Sequence, residues 1–177
     1  MIKKGCLVVC LLGVSLSSQA VEWYAGLDAN YIQTKVTSTS GNAKFLLPAV
    51  SFRFGAYLQP QLGVEFYGLS GVTDGSDKNI KLNVNYSVGV TTRFETPESE
   101  GGKIFFLIGY GWTQLDMNRS QTGSPGKQNF GDFSLGGGFE FKLGKSSPYY
   151  LSVQALRYYS GNDISLNGAS IGLRYRF

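Results

Sequence analysis

Apolar and polar side chains alternate along most of this chain. The longest stretch runs from Ile80 to Phe94: even positions carry aliphatic and aromatic side chains with one threonine, and odd positions are polar or glycine, with Lys81 and Arg93 near the two ends. Alternation with a period of two predicts a β-strand with one apolar and one polar face. At fifteen residues the stretch exceeds the usual globular strand of about 5–6 residues.

The same pattern recurs at residues 23–31, 50–58, 62–67, 132–142 and 169–177. Two further segments are less regular. Residues 103–117 are at first apolar on both faces, and we expect Ile108, Tyr110 and Trp112 to face outward. The segment after residue 148 alternates until Arg157, which falls on the apolar face; a β-bulge and a position beyond the end of the apolar surface both remain open explanations. The chain therefore contains eight predicted strands.

The connections between these strands alternate in length. Short turns at 59–61 and 144–147 and an acidic turn at 96–102 alternate with longer polar stretches at 35–45, 70–79, 118–129 and 159–167. Three turns and four loops supply the seven connections that eight strands require. Short turns at one rim and long loops at the other are typical of outer-membrane barrels. The fold predicted is all-β, an eight-stranded antiparallel up-and-down barrel.

The first twenty residues are typical of a secretory signal peptide. The pair Lys3-Lys4 precedes an apolar run from Gly5 to Leu16, and small residues follow up to Ala20. The run is too short to span a bilayer as a helix, which takes about 20 residues. We therefore expect a signal peptide over 1–20, cleaved after Ala20, and one barrel domain over 21–177.

The apolar face determines which kind of barrel is expected. The polar face carries charged side chains on almost every strand, whereas the other face is continuous, large and rich in aromatics. An eight-stranded bore has room only for side chains, so we expect the polar face inside and the apolar face in lipid. Aromatic residues fit interfacial girdles at both rims. They are Trp23 and Tyr175 at one rim and Trp112, Tyr158 and Tyr159 at the other.

The carboxyl terminus is the most specific motif in the chain. Gly172, Leu173, Tyr175 and Phe177 lie in an alternating segment that ends on phenylalanine. This segment resembles the C-terminal signal of bacterial outer-membrane proteins that the barrel assembly machinery recognises. The whole of residues 21–177 is similar in pattern and length to the small eight-stranded outer-membrane barrels, which include the OmpA transmembrane domain and OmpX-like proteins. The resemblance implies a Gram-negative outer membrane and insertion from the periplasm.

Composition limits the chemistry available. The chain has no histidine, and its two cysteines, Cys6 and Cys10, leave with the expected signal peptide. A Ser-His-Asp triad, a Cys-His pair and an ordinary zinc site are excluded. The family that this chain resembles includes lipid-modifying enzymes that use histidine, and the chain differs from these enzymes because it has no histidine. The net charge of +4 includes two signal-peptide lysines, which leaves no case for nucleic acid. We expect no enzymatic site, no cofactor and no metal.

A cluster of charges is expected inside the bore. Counted from the ends of the strands, Asp28, Arg53, Glu65, Glu140 and Arg174 fall at similar depth on the polar face. Ionised groups in a narrow bore are costly to bury unless they pair with one another. We therefore expect a salt-bridged cluster that blocks a continuous pore; separate hydration of each charge by water is the alternative.

Two functional classes follow from this reading. The first is a structural or surface-interaction protein, expected to be monomeric, whose outer loops meet other surfaces or lipopolysaccharide. Its basic loop residues Lys35, Lys44, Lys78, Arg119 and Lys127 could contact lipopolysaccharide phosphates, or could simply be hydrated. The second class is a narrow pore for ions or small solutes, and the sequence leaves the choice open.

Overall fold

A computed structural model describes residues 21–38, 41–77, 80–119, 126–161 and 164–177. These residues form long antiparallel strands: β1 (Glu22–Ser38), β2 (Gly41–Gln59), β3 (Leu62–Gly71), β4 (Gly75–Asp77), β5 (Ile80–Glu95), β6 (Gly102–Arg119), β7 (Gly126–Lys142), β8 (Tyr149–Ser160) and β9 (Ile164–Arg176). Within these residues no helix is long and apolar enough to cross a membrane.

The strands close into a ring. Each strand from β1 to β3 and from β5 to β9 pairs with its sequence neighbours, β1 pairs with β9, and β3 pairs with β5 across the remaining gap. The short β4 pairs only with β5, further along the direction in which β3 ends. The molecule is therefore an eight-stranded antiparallel barrel whose third strand is interrupted, which confirms the predicted fold.

We call the rim that holds the barrel's first and last residues, Glu22 and Phe177, the lower rim. The opposite, upper rim differs from the prediction, because much of the four predicted loops is strand. The β1–β2 ladder runs without interruption from the pair Glu22–Tyr57 to the pair Ser38–Gly41. Seventeen residues of tilted strand rise about 40 Å along the barrel axis, against an apolar band of about 25 Å in a membrane barrel. The upper ends of such strands must project beyond lipid.

Large apolar side chains cover the outside of the barrel. They include Leu27, Tyr31, Val50, Phe52, Phe54, Phe66, Val88, Phe106, Phe133, Leu135, Phe139, Ile171 and Leu173, all exposed. The predicted outward residues of 103–117, Ile108, Tyr110 and Trp112, are exposed as expected. Trp23 and Tyr175 are exposed near the lower rim; the Trp23 ring stacks on Phe54, and the Tyr175 ring makes an edge-to-face contact with Phe177.

A β-bulge reverses the faces of the upper part of β5, where the prediction was wrong. The β5–β6 register shifts between Val84 and Tyr86, which leaves Asn85 as the extra residue. Leu82 and Val84 are therefore buried in the bore and Lys81 is exposed outside. The sequence alternation continues unbroken through this point, so only the pairing reveals the inversion.

A second irregularity lies in β8. The β8–β9 register shifts between Arg157 and Tyr159, and Arg157 is exposed on the outside. Tyr158, predicted in the upper girdle, is buried in the bore, where its hydroxyl donates to Asn30 Oδ1 at 3.5 Å. Tyr159 is half-buried against the ring of Phe130. Tyr158 faces inward by the same alternation that buries Gln154 and Leu156, and Tyr159 lies beside the bulge, so neither tyrosine belongs to the girdle.

The bore contains two layers. An apolar layer is formed by Ile32, Val36, Phe45, Leu47, Ala49, Tyr67, Leu69, Leu82, Val84, Phe105, Leu107, Leu115, Leu156, Tyr158, Ile164 and Leu166. On β1 and β9 its residues lie toward the upper rim, and charged residues such as Asp28 and Arg174 lie toward the lower rim. A bore that is polar throughout was expected, and the upper half corrects that expectation.

Candidate functional site

Three buried side chains begin a network across the lower bore. Arg53 of β2 donates from Nε to Asp28 Oδ2 of β1 and from Nη1 to Glu65 Oε1 of β3, both at 2.6 Å. The Tyr24 hydroxyl donates to the second oxygen of Glu65 at 3.0 Å. Alternation sets all of these side chains inward, and the antiparallel register brings Asp28 and Arg53 to nearly the same level. Arg53 therefore ties three adjacent strands together.

Arg174 connects this group to the opposite wall. Its Nη1 lies 2.7 Å from Glu140 Oε1 and 3.5 Å from Glu65 Oε2. Its Nη2 donates to Gln154 Oε1 of β8 at 3.1 Å. The five charges expected from the sequence thus lie in one connected network in the structure.

Four further charges, not included in the predicted cluster, belong to the same network. Arg93 Nη2 lies 2.7 Å from Glu140 Oε1, and Arg93 Nε donates to Glu95 Oε1. Lys103 contacts Glu95 and, at 3.4 Å, Glu140. Arg176 Nη2 lies 3.2 Å from Glu140 Oε2 at the lower edge. We call these nine residues together the ion-pair layer; every one of the eight barrel strands contributes to it or, through Gln154 of β8, bonds to it.

The missed residues had weak or absent signals. Arg93 and Glu95 share a face because they are two positions apart, which the alternation already indicated for Arg93. Lys103 begins the segment whose faces the sequence left ambiguous. Only the pairing of Lys103 with Glu140 across β6 and β7 shows that both point into the bore.

Aromatic rings line the ion-pair layer. The Arg93 guanidinium lies 3.6 Å from the centroid of the Phe105 ring, and Phe105 also belongs to the apolar layer. Arg176 lies over the rings of Tyr57 and Tyr150 at 4.7 and 4.3 Å. Cation–π contacts of this kind favour arginine in desolvated sites. The rings therefore fill the space that water would otherwise occupy beside the charges.

Burial and charge balance define what this arrangement can do. Five cations face four carboxylates, and all are buried except Arg176, which is half-buried. Ionised groups withdrawn from water are stable only when they are paired. Each charge here has an ion-pair partner, although Asp28 Oδ1, Arg53 Nη2 and Arg174 Nε have no hydrogen-bond partner in the described structure. Within the described residues no group of histidine, cysteine, aspartate and glutamate could hold a metal ion. Chemically, the layer can fix the strands to one another and occupy the cross-section of the bore.

The C-terminal residues of β9 lie against β1. Leu173 and Tyr175 are exposed on the outside, and Phe177 N–H donates to Trp23 O at 2.9 Å. Gly172 faces the bore, where a Cβ would lie only 2.6 Å from Leu27 O and would collide with Asp28. Only glycine fits at that position beside the ion-pair layer.

The predicted basic loop residues lie largely on strands. Lys35 and Lys44 are directly opposite one another on β1 and β2, and both are exposed. Lys127 is exposed opposite Asp116. Arg119 ends β6, and Lys78 lies outside the described residues. The cross-strand lysine pair is the densest positive charge in this group.

Comparisons with solved structures find small outer-membrane barrels. The Ail protein of Yersinia pestis has a TM-score of 0.65 at 13% identity, covering 90% of this chain and all of that one. Neisserial surface protein A has a TM-score of 0.60 at 16% identity, with coverages of 90% and 100%. OprG of Pseudomonas aeruginosa has a TM-score of 0.56 at 12% identity, with coverages of 89% and 95%. At these identities the likeness concerns the fold.

Among curated proteins, no sequence matches the chain. A family model described as "Outer membrane protein beta-barrel domain" matches residues 6–177, nearly the whole sequence. The match places the protein in the bacterial outer membrane and agrees with the closed ring, the apolar exterior and the resemblance of the C-terminus. The chain belongs to the outer membrane protein β-barrel domain family.

Proposed function

We propose that this protein is a sealed outer-membrane barrel with a structural or surface-interaction role. The observation that carries the proposal is the ion-pair layer, whose charges lie on seven strands and bond to the eighth, β8, through Gln154 across the lower bore. A solute would have to separate Arg53 from Glu65, or Arg174 from Glu140, to pass. Leaving one partner of a buried pair uncompensated costs about 3–5 kcal/mol. The apolar layer above forms a second seal that ions cannot cross without dehydration.

Single-channel recording tests the seal. The wild-type protein, refolded into planar bilayers, should show no steady ion conductance. Arg53→Glu should create conductance or destabilise the barrel, because it places a third carboxylate beside Asp28 and Glu65. Glu98→Gln, at the lower-rim turn, is the matched control and should stay closed. Steady wild-type channels would instead support a narrow pore for ions or small solutes.

The outer surface offers positive charge to lipopolysaccharide. Short turns of membrane barrels face the periplasm, so the upper rim with Lys35 and Lys44 lies outside. Ail, a similar barrel, has a structure in complex with the heparin analogue sucrose octasulfate, a polyanion. The double variant Lys35→Gln/Lys44→Gln should bind phosphorylated lipopolysaccharide more weakly than wild type, whereas Lys145→Gln at the lower rim should not. Equal loss with dephosphorylated lipopolysaccharide would exclude phosphate recognition.

The targeting segments are part of the same proposal. Residues 1–20, outside the described part of the chain, would direct secretion and be removed after Ala20. The alternating C-terminal residues Leu173, Tyr175 and Phe177 would be read by the barrel assembly machinery. N-terminal sequencing of protein from outer membranes should begin at Val21, and deletion of Phe177 should lower the amount assembled. We expect the assembled barrel to be a monomer by light scattering.

A further inference from the structure

Arg157 is a charged residue within the apolar outer surface of the barrel. It is exposed on the outside of β8, directly opposite Leu135 of β7, whose side chain is also exposed. The other outward residues of β8 and β9 that the structure describes are uncharged. The two layers of the bore account for the inward residues of these strands, but they give no reason for an arginine on the outside.

The height of Arg157 places it near the upper margin of the lipid. It is eight residues beyond Tyr149, whose ring contacts Tyr175 at the lower rim, and this corresponds to a rise of about 20 Å along the barrel axis. The apolar band of a membrane barrel is about 25 Å tall, and a charge on its surface is costly at the midplane but tolerated near the interface. The long arginine side chain can turn upward and bring its guanidinium to the level of the lipid headgroups.

Polar side chains continue the outer surface above Arg157. The β8 bulge leaves Tyr159 half-buried, so that Ser160 is the next exposed residue of the strand. Residues directly opposite one another in an antiparallel pair share a face. Arg157 is opposite Asn167 of β9, and Ser160 is opposite Ser165. We call these four outward residues, Arg157, Ser160, Ser165 and Asn167, the polar notch.

Large apolar side chains border the polar notch on both sides. Phe133 of β7, two residues above Leu135, is 69% exposed. Tyr31 of β1 is opposite Ala169 of β9 and is 60% exposed. The apolar surface of the neighbouring strands therefore reaches the height of Arg157, and the notch is a local interruption of that surface.

The charge of Arg157 has no ion-pair partner in the described part of the chain. Asp132 of β7 lies three residues above Leu135, on the strand next to Arg157. Its two carboxylate oxygens accept the backbone N–H groups of Phe133 and Ser160, at 2.7 and 2.8 Å. Asp132 thus binds backbone amides and does not pair with the arginine. The guanidinium is left to an anion from outside the described chain.

The wall directly below the polar notch has room for a lipid chain. Ala155, the next outward residue below Arg157 on β8, is opposite Ala169 of β9, and both are exposed. Their methyl groups are much smaller than the side chains of Leu135 and Tyr31 on either side. The outer surface is therefore recessed at this pair, which we call the alanine recess.

We propose that the polar notch binds the phosphate of one lipopolysaccharide molecule in the outer leaflet, while one of its acyl chains lies in the alanine recess. A guanidinium binds phosphate through two parallel hydrogen bonds. The Asn167 amide and the Ser160 hydroxyl can donate to and accept from the hydroxyl groups of the sugar. The proposal rests on the outward direction of the upper rim given above.

This site goes beyond the proposed contacts of Lys35 and Lys44. Those lysines are opposite one another, and Lys35 lies twelve residues beyond Trp23, about 30 Å above the lower rim. They are therefore above the apolar band, at the height of the phosphorylated core sugars. Arg157 lies lower, at the height of the lipid A phosphates, and fixes the lipid to the barrel wall.

Native mass spectrometry of the refolded protein in detergent tests the proposal. The probe is lipid A with two phosphates, which lacks the core sugars, and the control lipid is dephosphorylated lipid A. The wild-type protein should retain one bisphosphorylated molecule and should bind the control lipid at least about tenfold more weakly. Arg157→Gln should weaken retention of the probe by at least about tenfold. Arg157→Lys keeps the charge but loses the paired hydrogen bonds, and its affinity should be intermediate.

Two further variants separate the parts of the site. Lys35→Gln/Lys44→Gln is the matched control, because it removes two exposed cations but leaves the polar notch intact, and it should retain lipid A as wild type does. Ala155→Phe fills the alanine recess without changing a charge, and it should weaken retention of lipid A. All of these variants change exposed side chains, and a heat-dependent shift on detergent gels verifies that they fold.

Several outcomes would overturn the proposal. No retention by the wild type, or equal retention by Arg157→Gln, would mean that the arginine reaches only water. Equal retention of phosphatidylglycerol would mean a general attraction to anionic lipid, and displacement by millimolar inorganic phosphate would mean a site for free anions. Loss in Lys35→Gln/Lys44→Gln alone would place recognition at the rim, and an unchanged Ala155→Phe would remove the recess from the site. None of these outcomes changes bilayer conductance, so the sealed-barrel proposal is tested separately.

Discussion

The lower and upper halves of the bore share one ring of strands but follow opposite rules. In the lower half, charges such as Arg53 and Glu65 lie inside and Phe52 and Phe66 lie outside. In the upper half, Leu47 lies inside and Lys44 outside. The lower half is arranged as a membrane barrel and the upper half as a water-soluble one. The difference follows from the surroundings: lipid below, water above.

Two strands reach the inversion by different routes. On β1 the strand keeps its orientation, and the residue types on each face change. The outward face carries apolar Tyr31 in the lower half and charged Lys35 in the upper half, whereas the inward face carries Asp28 and then Ile32. On β5 the apolar residues stay at the even positions throughout, and the orientation of the strand changes. The bulge at Asn85 turns the even positions above it from the outside to the bore. A bulge is therefore a structural means of moving one apolar face from lipid to core.

The largest expected effect comes from removing a charge in the lower half. Glu65→Leu removes the carboxylate that Arg53, Arg93 and Arg174 share, which leaves Glu140 to Arg93 and Arg174 and Asp28 to Arg53. We expect the free energy of unfolding to fall by about 3–5 kcal/mol, measured by urea titration in lipid vesicles with tryptophan fluorescence. Glu98→Gln serves as the control on the exposed turn. A loss of under about 1 kcal/mol would mean that water, not pairing, stabilises these charges.

The stability of the upper half of the bore should depend on how well its apolar side chains are packed. Leu115→Ala removes a fully buried side chain of the apolar layer and should cost about 2–5 kcal/mol in the same titration. The ion-pair layer stays intact, so bilayer conductance should remain absent, unlike that expected for Arg53→Glu. A conducting Leu115→Ala variant would show that the apolar layer, and not the charges, forms the seal.

The lower half of the bore could be predicted from the sequence more fully than the upper half. The alternation predicted the ring, the apolar exterior and the inward facing of Arg53 and Glu65. It could not reveal the inversion, since a one-residue bulge leaves the printed pattern of Ile80–Phe94 unchanged while reversing its faces. Lys103 was missed because its segment is apolar on both sides. Register depends on contacts between strands, which a single strand's sequence does not record.

Exchanging one methyl group for a hydroxyl in the upper half, and one hydroxyl for a methyl group in the lower half, tests the same comparison with the smallest change of side-chain shape. Val84→Thr places a hydroxyl in the apolar layer and should cost about 1–3 kcal/mol. Thr91→Val removes a buried hydroxyl that has no hydrogen-bond partner in the described structure, and should be neutral or slightly stabilising. Both changes preserve side-chain shape. If Val84→Thr were neutral, Val84 would face water and the bulge assignment would be wrong, because a hydroxyl is also costly in lipid.

The smallest effect is expected at the lower rim, where the ion-pair layer meets solvent. Glu22 lies 3.6 Å from Arg176, and its side chain is 45% exposed. Exposed pairs contribute about 1 kcal/mol or less, and Arg176 keeps Glu140 and Glu95 as partners when Glu22 is removed. Glu22→Gln should therefore lower the unfolding free energy by less than about 1 kcal/mol, and added salt should abolish the difference. A loss of unfolding free energy that is independent of salt and as large as that of Glu65→Leu would mean that Glu22 belongs to the buried network. The charges at the lower rim would then be held by pairing and not by water.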